Sequence, residues 1–501
     1  MRRRKFLAGG AAALGGLMLP RVARAGTFGD APNAAAVAAL LAPGVRAEKC
    51  LEVYLYGGMA SFESFYVVEE YGRSDDPDPA LRDTMWHLFE SDHGNVFGGD
   101  CGLTDPTTWL TDFGLDANGK MVQLGPLVGP LRDRPDVVSR MRVLVMQHEF
   151  EPHEAAVPQA MCGLRLGNPR MAGLGTHVQR YWQDRDLTGR VAPWSYVFSP
   201  VQARSNFNTH TAAAVGTHPG SARPLLIKTS DNMDLAALLG RREVGMDVSR
   251  LDPLLRRYAA QNVGRHTDLA GNALRSRAVS DHNFAIGALV NAPALQELLP
   301  ESMFEVSNGK MCSTTNSDIS GMALRAGVSL LTNPVSPAKY VNVVDGGFQF
   351  FGDLPYDTHF GHLQTSAINH RHIWQALVEQ INEPGEGDPA KIDLDDTMIC
   401  ITAEFGRTPY LSFGGTNHFP HGYVSVLIGG PVVPGVSGAL GPDGYAVDSV
   451  SPAEFRAGML AGLGIYPFHA DGFAVGDLLA GGAGTEIDQL VWLNERILGR
   501  V

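Results

Sequence analysis

The chain has 501 residues, 44% of them hydrophobic and 19% charged, with a formal net charge of −13. Its 58 Gly and 31 Pro exceed average usage of about 7% and 5%, yet no G-X-Y period or low-complexity tract accompanies them, which excludes collagen-like and disordered classes. Length alone would divide such a chain into about three domains, but large α/β sheets run longer as one unit, and one domain carrying insertions is expected.

Residues 1–25 read as an export leader. Arg2, Arg3, Arg4 and Lys5 precede Phe6 and Leu7, an apolar stretch continues to Leu19, and Ala23-Arg24-Ala25 supplies an A-x-A cleavage site. This is the pattern of a twin-arginine signal. Its apolar stretch of about 14 residues falls short of the roughly 18 to 20 that cross a bilayer, and no comparable segment follows. The mature chain, 26–501, is therefore expected to be periplasmic or secreted, without a transmembrane segment. The leader carries six Lys/Arg and no acid, leaving 34 bases against 53 acids, about −19. Nucleic acid is thereby disfavoured as a partner.

Strand-length apolar runs rich in Val, Ile and Tyr recur at Cys50–Tyr56, Val143–Met146, Tyr340–Val344, Met398–Thr402 and Tyr423–Ile428. Between the third and fourth, Leu363, Ala367, His370, Trp374, Leu377 and Ile381 follow a helical period. Strands alternating with helices predict a mostly parallel sheet flanked by helices. The Asp-, Gly- and Pro-rich stretch at about 71–120 reads as a surface insertion, and 231–300 as a helical one. Of the five cysteines, Cys50 and Cys400 sit in strand-like runs and are expected to pack as small hydrophobes. A disulfide such as Cys101 with Cys162 is compatible with export but is not fixed by spacing.

Six of the 16 histidines fall between residues 359 and 421. In open α/β sheets, loops at the carboxyl ends of strands form the ligand crevice, and the chemistry-bearing residues cluster after strands here. Asp357 and His359 share one loop, a common metal-ligand pairing. Glu404 follows the fourth strand directly and can ligate a metal, while Arg407 could clamp a phosphate, sulfate or carboxylate. The alternative is that Glu404 and Arg407 pair with each other or with neighbouring loops and hold the turn. His418 and His421 stand on a Gly-rich loop that Pro420 keeps from being helical. His370 belongs to the apolar stripe and is expected in the core, His372 is expected to face solvent, and His362 is either a ligand or a helix-start residue. After the first strand, Ser61 is either a nucleophile or, with Ser64, a helix N-cap, and Glu63 either a ligand or a first-turn acid. His148 and His153 superficially suggest H-E-x-x-H, but the second histidine is one place late and Pro152 interrupts any helix, so a zincin does not follow. Both remain polar contributors to the crevice. No G-x-S-x-G, P-loop or dinucleotide fingerprint is present.

The twin-arginine leader, Gly57-Gly58 after the first strand, Asp357-Thr358-His359, the string from Glu404 to Pro409 and the loop through Asn417-His418 together resemble an exported bacterial family known as domain of unknown function 1501. That family lies within the alkaline phosphatase and sulfatase-like superfamily. The resemblance runs in scattered blocks from about 49 to 466 and is clearest over 319–466. It implies an alkaline phosphatase-like α/β core in which Asp357, His359, Glu404 and His418 occupy metal-ligand positions. The superfamily's Asp at the end of the first strand is replaced here by Gly57-Gly58, its Asp before the late His by Asn417, and the family's first-turn Asp by Glu63.

The expected function is a metal-dependent hydrolase of phosphate or sulfate esters. A divalent ion (zinc, calcium or manganese) would be held by Asp357, His359, Glu404, His418 and His421, with Arg407 and Ser61 as catalytic candidates and an anionic small molecule or polymer as substrate. The competing expectation, favoured by the Gly57 and Asn417 departures, is a secreted binding or assembly factor that keeps the shell without the catalysis.

Overall fold

The computed structural model describes residues 27–72, 101–103, 108–183, 195–199, 224–228, 300–334, 336–348, 356–412, 414–469, 471–478 and 484–500, with isolated positions between them. Residues 1–26, which hold the expected leader, most of 231–300 and, within the 71–120 segment, 73–100 and 104–107 lie outside the described residues.

An eight-stranded sheet organises the chain: β1 (Lys49–Leu55), β2 (Met141–Met146), β3 (Ser195–Ser199), β4 (Leu225–Lys228), β5 (Tyr340–Asp345), β6 (Thr397–Thr402), β7 (Tyr423–Gly429) and β8 (Gly435–Ser437). Their order across the sheet is β8-β2-β7-β6-β1-β5-β3-β4. β7 pairs antiparallel with both β6 and β2, and every other pairing is parallel. The five apolar runs of the sequence are β1, β2, β5, β6 and β7, and β5, β6 and β7 are buried along their whole length. Continuous burial is what a strand covered on both faces requires, and it explains why these runs do not alternate polar with apolar.

Helices cover the sheet: α1 (His153–Cys162), α2 (Leu174–Gln183), α3 (Ile319–Leu331), α4 (His362–Val378), α5 (Pro452–Gly462) and α6 (Glu486–Leu498). α4 is the helix anticipated from the Leu363 to Ile381 stripe, and its His370 is fully buried. α5 begins with a capping box in which the Ser451 hydroxyl accepts from Glu454 N and the Glu454 carboxylate from Ser451 N. One apolar core packs α3 and α4 against the sheet and another packs α5 and α6. No helix among the described residues is long and apolar enough to cross a membrane.

Three expectations are corrected. Cys101 bonds Cys312, not Cys162, tying the 101 loop to the turn between Asn308–Met311 and Thr314–Ser317, while Cys162 is free and buried with Cys50 and Cys400. The ring of His372 does not face solvent. It is buried beneath Phe348 and its Nε2 meets Asp318 Oδ1 at 2.8 Å, at the N-cap of α3. Ser61 and Ser64 cap no helix: the segment Ser61–Glu63 is a single 3-10 turn without a side-chain cap, and the Ser64 hydroxyl donates to Ala60 O at 2.6 Å.

Candidate metal centre

β1, β2, β5 and β6 run parallel, so the segments after them emerge at one end of the sheet. The antiparallel β7 brings the loop that precedes it to that same end. Gly57 follows β1, His148 and His153 follow β2, Asp357 follows β5, and Glu404 and Arg407 follow β6. His418 precedes β7, in a two-residue pairing of His418–Phe419 with Gly406–Arg407.

Gly57 permits the close assembly of these segments. Its φ is +117°, and a Cβ there would lie 2.3 Å from the Asp357 nitrogen. Only glycine accepts both constraints. Its N–H donates to Glu404 Oε1 at 2.8 Å, and its carbonyl accepts from an Arg407 guanidinium nitrogen at 3.1 Å.

Asp357 is the hub. Its Oδ1 receives Arg407 at 2.7 Å and lies 3.0 Å from His418 Nε2 and 3.1 Å from His359 Nε2, while its Oδ2 is 3.5 Å from His153 Nε2. His359 and His418 bring their Nε2 atoms to 3.2 Å of each other. Ligand atoms of His153, Asp357 and His418 all fall within 4.8 Å of one another, and this is the one such group among the described residues.

The far nitrogens of two imidazoles are tied back. His153 Nδ1 meets Glu404 Oε1 at 2.8 Å, and His418 Nδ1 donates to the Glu151 carbonyl at 2.8 Å. An imidazole that donates from Nδ1 presents its Nε2 lone pair to whatever lies ahead, the arrangement that orients histidine toward a metal. His153 Nε2 is buried and has no hydrogen-bond partner, so it is a donor atom suited to an ion between it and Asp357.

Charge follows the same geometry. Burial acts to lower the His153 pKa, but the carboxylates of Asp357 and Glu404 outweigh it and raise the imidazole to about 9, so without an ion Nε2 carries a proton toward Asp357, and an ion binding there would displace it. Burial acts to raise Asp357, yet His153, His418 and Arg407 hold it well below the ordinary carboxylate range. His148 is pushed down to about 4 by burial. It donates from Nε2 to the Glu404 carbonyl at 2.6 Å and accepts the Phe150 N–H at Nδ1, which fixes it as a neutral support.

The remaining candidates are placed as follows. Glu404 and Arg407 do not pair: Glu404 holds Gly57 and His153, and Arg407 holds Asp357. Arg407 is buried, and its other donors go to Thr416 Oγ1 and O and to Gly57 O. His421 stands apart, stacked on Tyr445 with Nε2 3.7 Å from Glu151 Oε1. Ser61 is buried, and its oxygen accepts the Val424 N–H at 3.3 Å. His362 opens α4 and bonds Glu63. A groove of about 1300 Å3 has His148, His421, Arg142, Arg165 and Trp492 on its walls, but none of His153, Asp357, His359 and His418 lines it. His153 is the member that spacing concealed, because Pro152 breaks its resemblance to any ligand motif and only the fold brings it to Asp357.

The fold and site thus define a mixed α/β protein with a mostly parallel, helix-flanked sheet and a His/Asp/His cluster at one sheet end. A family model described as "Protein of unknown function (DUF1501)" matches residues 390–470, the segment that carries Glu404, Arg407, Thr416 and His418. No curated protein and no solved structure matches the chain.

Proposed function

We propose that this protein is an exported, metal-dependent hydrolase of phosphate or sulfate esters on an alkaline phosphatase-like core. The observation that carries the metal is the pair of imidazoles with Nδ1 tied back and Nε2 directed at one carboxylate. His153, Asp357 and His418 would hold the ion, with His359 at its outer side and Glu404 orienting His153 from behind. Two or three imidazoles and one carboxylate suit zinc or manganese better than calcium, which prefers all-oxygen ligands. Such an ion supplies Lewis acidity toward an ester oxygen and makes water a stronger nucleophile at neutral pH. Arg407 keeps Asp357 ionised and fixed. The His359 side chain is 41% exposed against 20% for His418 and 9% for His153, which makes His359 the imidazole placed to exchange a proton with a substrate. The Cys101–Cys312 disulfide supports an oxidising compartment, in keeping with the twin-arginine leader. Replacing Arg3 and Arg4 by Lys is expected to leave unprocessed precursor in the cytoplasm, whereas unchanged export would point to another route.

The test is metal analysis of protein purified without chelator, with hydrolysis of p-nitrophenyl phosphate and p-nitrophenyl sulfate before and after chelation. The expected result is bound zinc or manganese, chelator-sensitive hydrolysis, and loss of both in Asp357→Asn. A second reading, a binding shell without catalysis, is favoured by one contact: Arg407 already neutralises Asp357 at 2.7 Å. Wild-type protein with no metal as purified, and a Tm unmoved by zinc or manganese, would establish that reading instead.

A further inference from the structure

Behind Asp357 runs a line of buried hydrogen bonds that the proposed chemistry does not use. Thr358 sits between Asp357 and His359, and its hydroxyl lies 2.5 Å from His362 Nδ1. His362 Nε2 meets Glu63 Oε2 at 2.7 Å. Thr416 Oγ1 is 3.1 Å from the same His362 Nδ1 and 3.2 Å from the Thr358 hydroxyl. It also accepts from Arg407 Nε at 3.0 Å, and Arg407 in turn donates to Asp357. Glu63, Thr358, His362, Arg407 and Thr416 are each at most 2% exposed.

The charged groups at its two ends restrict the donor order in this line. An ionised Glu63 can only accept, so His362 donates from Nε2, and as a neutral ring it offers Nδ1 to the Thr358 hydroxyl, with Ser366 Oγ 3.4 Å from the same atom. A guanidinium can only donate, so Thr416 offers its oxygen to Arg407 and turns its hydrogen toward the Thr358 carbonyl, 3.3 Å away, the Thr358 hydroxyl or His362. Each end of the line is thereby set by a charged group, Glu63 at one and the Arg407–Asp357 pair at the other. The order hydroxyl, imidazole, carboxylate is also that of a nucleophilic triad, but the Thr358 oxygen is buried and faces the interior. It braces rather than attacks.

We propose that Glu63 and His362 are positioning residues: away from the ligand atoms, they hold Thr358 and Thr416, and through them the Arg407–Asp357 pair, in the geometry that binds metal. The inference rests on the metal-site reading above. A purely structural role for the same residues would cost stability without changing metal affinity, and that difference is measurable.

The experiment titrates zinc into metal-free wild type, Glu63→Gln, Thr416→Val, Thr416→Ser and Asp116→Asn, with Tm recorded for each. Asp116 is the control because it accepts from the Tyr66 hydroxyl at 2.6 Å, outside this line of contacts. Glu63→Gln and Thr416→Val are expected to weaken zinc binding about tenfold or more, the usual scale for groups that orient ligands. Thr416→Ser, which keeps the hydroxyl, is expected to recover most of that loss, and Asp116→Asn to lower Tm at unchanged affinity. Wild-type affinity in both Glu63→Gln and Thr416→Val would overturn the proposal. If wild type itself binds no zinc, the metal reading fails, and imidazole NMR of His153 and His418 decides the positioning role separately. Signals displaced in Glu63→Gln and Thr416→Val but not in Asp116→Asn support it; signals displaced in neither variant overturn it.

Discussion

Two clusters of buried charge stand on the same sheet, and they are built on different principles. Glu52, in the middle of β1, gives both oxygens to Arg456 of α5 at 2.6 and 2.8 Å and also accepts the Tyr340 hydroxyl at 2.6 Å, while Arg456 Nε donates to Ala160 O at 2.7 Å. That cluster is closed. Around Asp357, three nitrogens crowd one carboxylate oxygen, while His153 Nε2 meets the other only at 3.5 Å. A buried ion pair of the first kind is weak evidence for anything but structure. The second kind leaves ligand atoms converging, and the difference lies in where hydrogen bonds end rather than in how much charge is buried.

The comparison breaks most visibly if the closed pair is cut. Arg456→Met strands Glu52 in the core, and urea unfolding is expected to show a loss of about 3–5 kcal/mol, identical with zinc or with chelator. A loss that zinc repairs would mean the two clusters are coupled.

His370 belongs to neither cluster and tests whether acid sensitivity comes from the site. It lies in α4 against Tyr356 and Trp374, donates Nδ1–H to Ser366 O at 2.9 Å, and is faced by Glu63 and His362. Burial pushes its pKa down to about 4. The neutral form is the folded form, so its contribution is fully present above about pH 6.5 and is lost as pH falls toward 4. That shift corresponds to about 3 kcal/mol. Unfolding measured from pH 7 to 4 should steepen accordingly, and His370→Gln should flatten that slope. An unchanged slope would assign the acid sensitivity elsewhere.

The smallest expected effect is at Glu404. Glu404→Gln keeps an acceptor for Gly57 N but removes the charge behind His153. Zinc affinity, read by titration calorimetry, is expected to fall about 10- to 100-fold, and the metal-free Tm to fall less than in Arg456→Met, because His153 keeps Asp357 as a partner. Equal zinc affinity would leave Glu404 a turn-holding residue, as Glu52 is a core one.

Much of the frame was legible in the chain because buried strands must be continuous apolar runs, and β1, β2, β5, β6 and β7 are. β8 was not, since Gly435–Ser437 has three residues and begins with glycine, and β3 and β4 were missed although Ser195–Ser199 and Leu225–Lys228 are at least as long as the Val143–Met146 run. Histidine density pointed to the segment holding Asp357, His359 and His418, and the placement after strands pointed to Glu404 and Arg407. Sequence could not pair them. It could not show that Arg407 serves Asp357 and not Glu404, that His421 turns to Tyr445, or that His372 finds Asp318, because each depends on which loop crosses which. Cys101 was likewise matched to Cys312 by the fold, across 211 residues of chain.

The reversed strand β7 also shapes the order in which the site can form. Because β6 and β7 run antiparallel, the stretch between them returns directly, and Arg407 reaches Thr416 across nine residues. Asp357 and His418 are 61 residues apart, and His153 and Glu404 are 251. Contacts of such separation close late, after the loop entropy between them has been overcome. The hairpin-like segment can therefore take shape early with Arg407 and His418 in place, while the His153, Asp357 and His418 constellation waits for the finished sheet. A metal that needs all of its ligands would find no site in the folding chain and would act only as a lock on the native state, slowing unfolding without hastening folding.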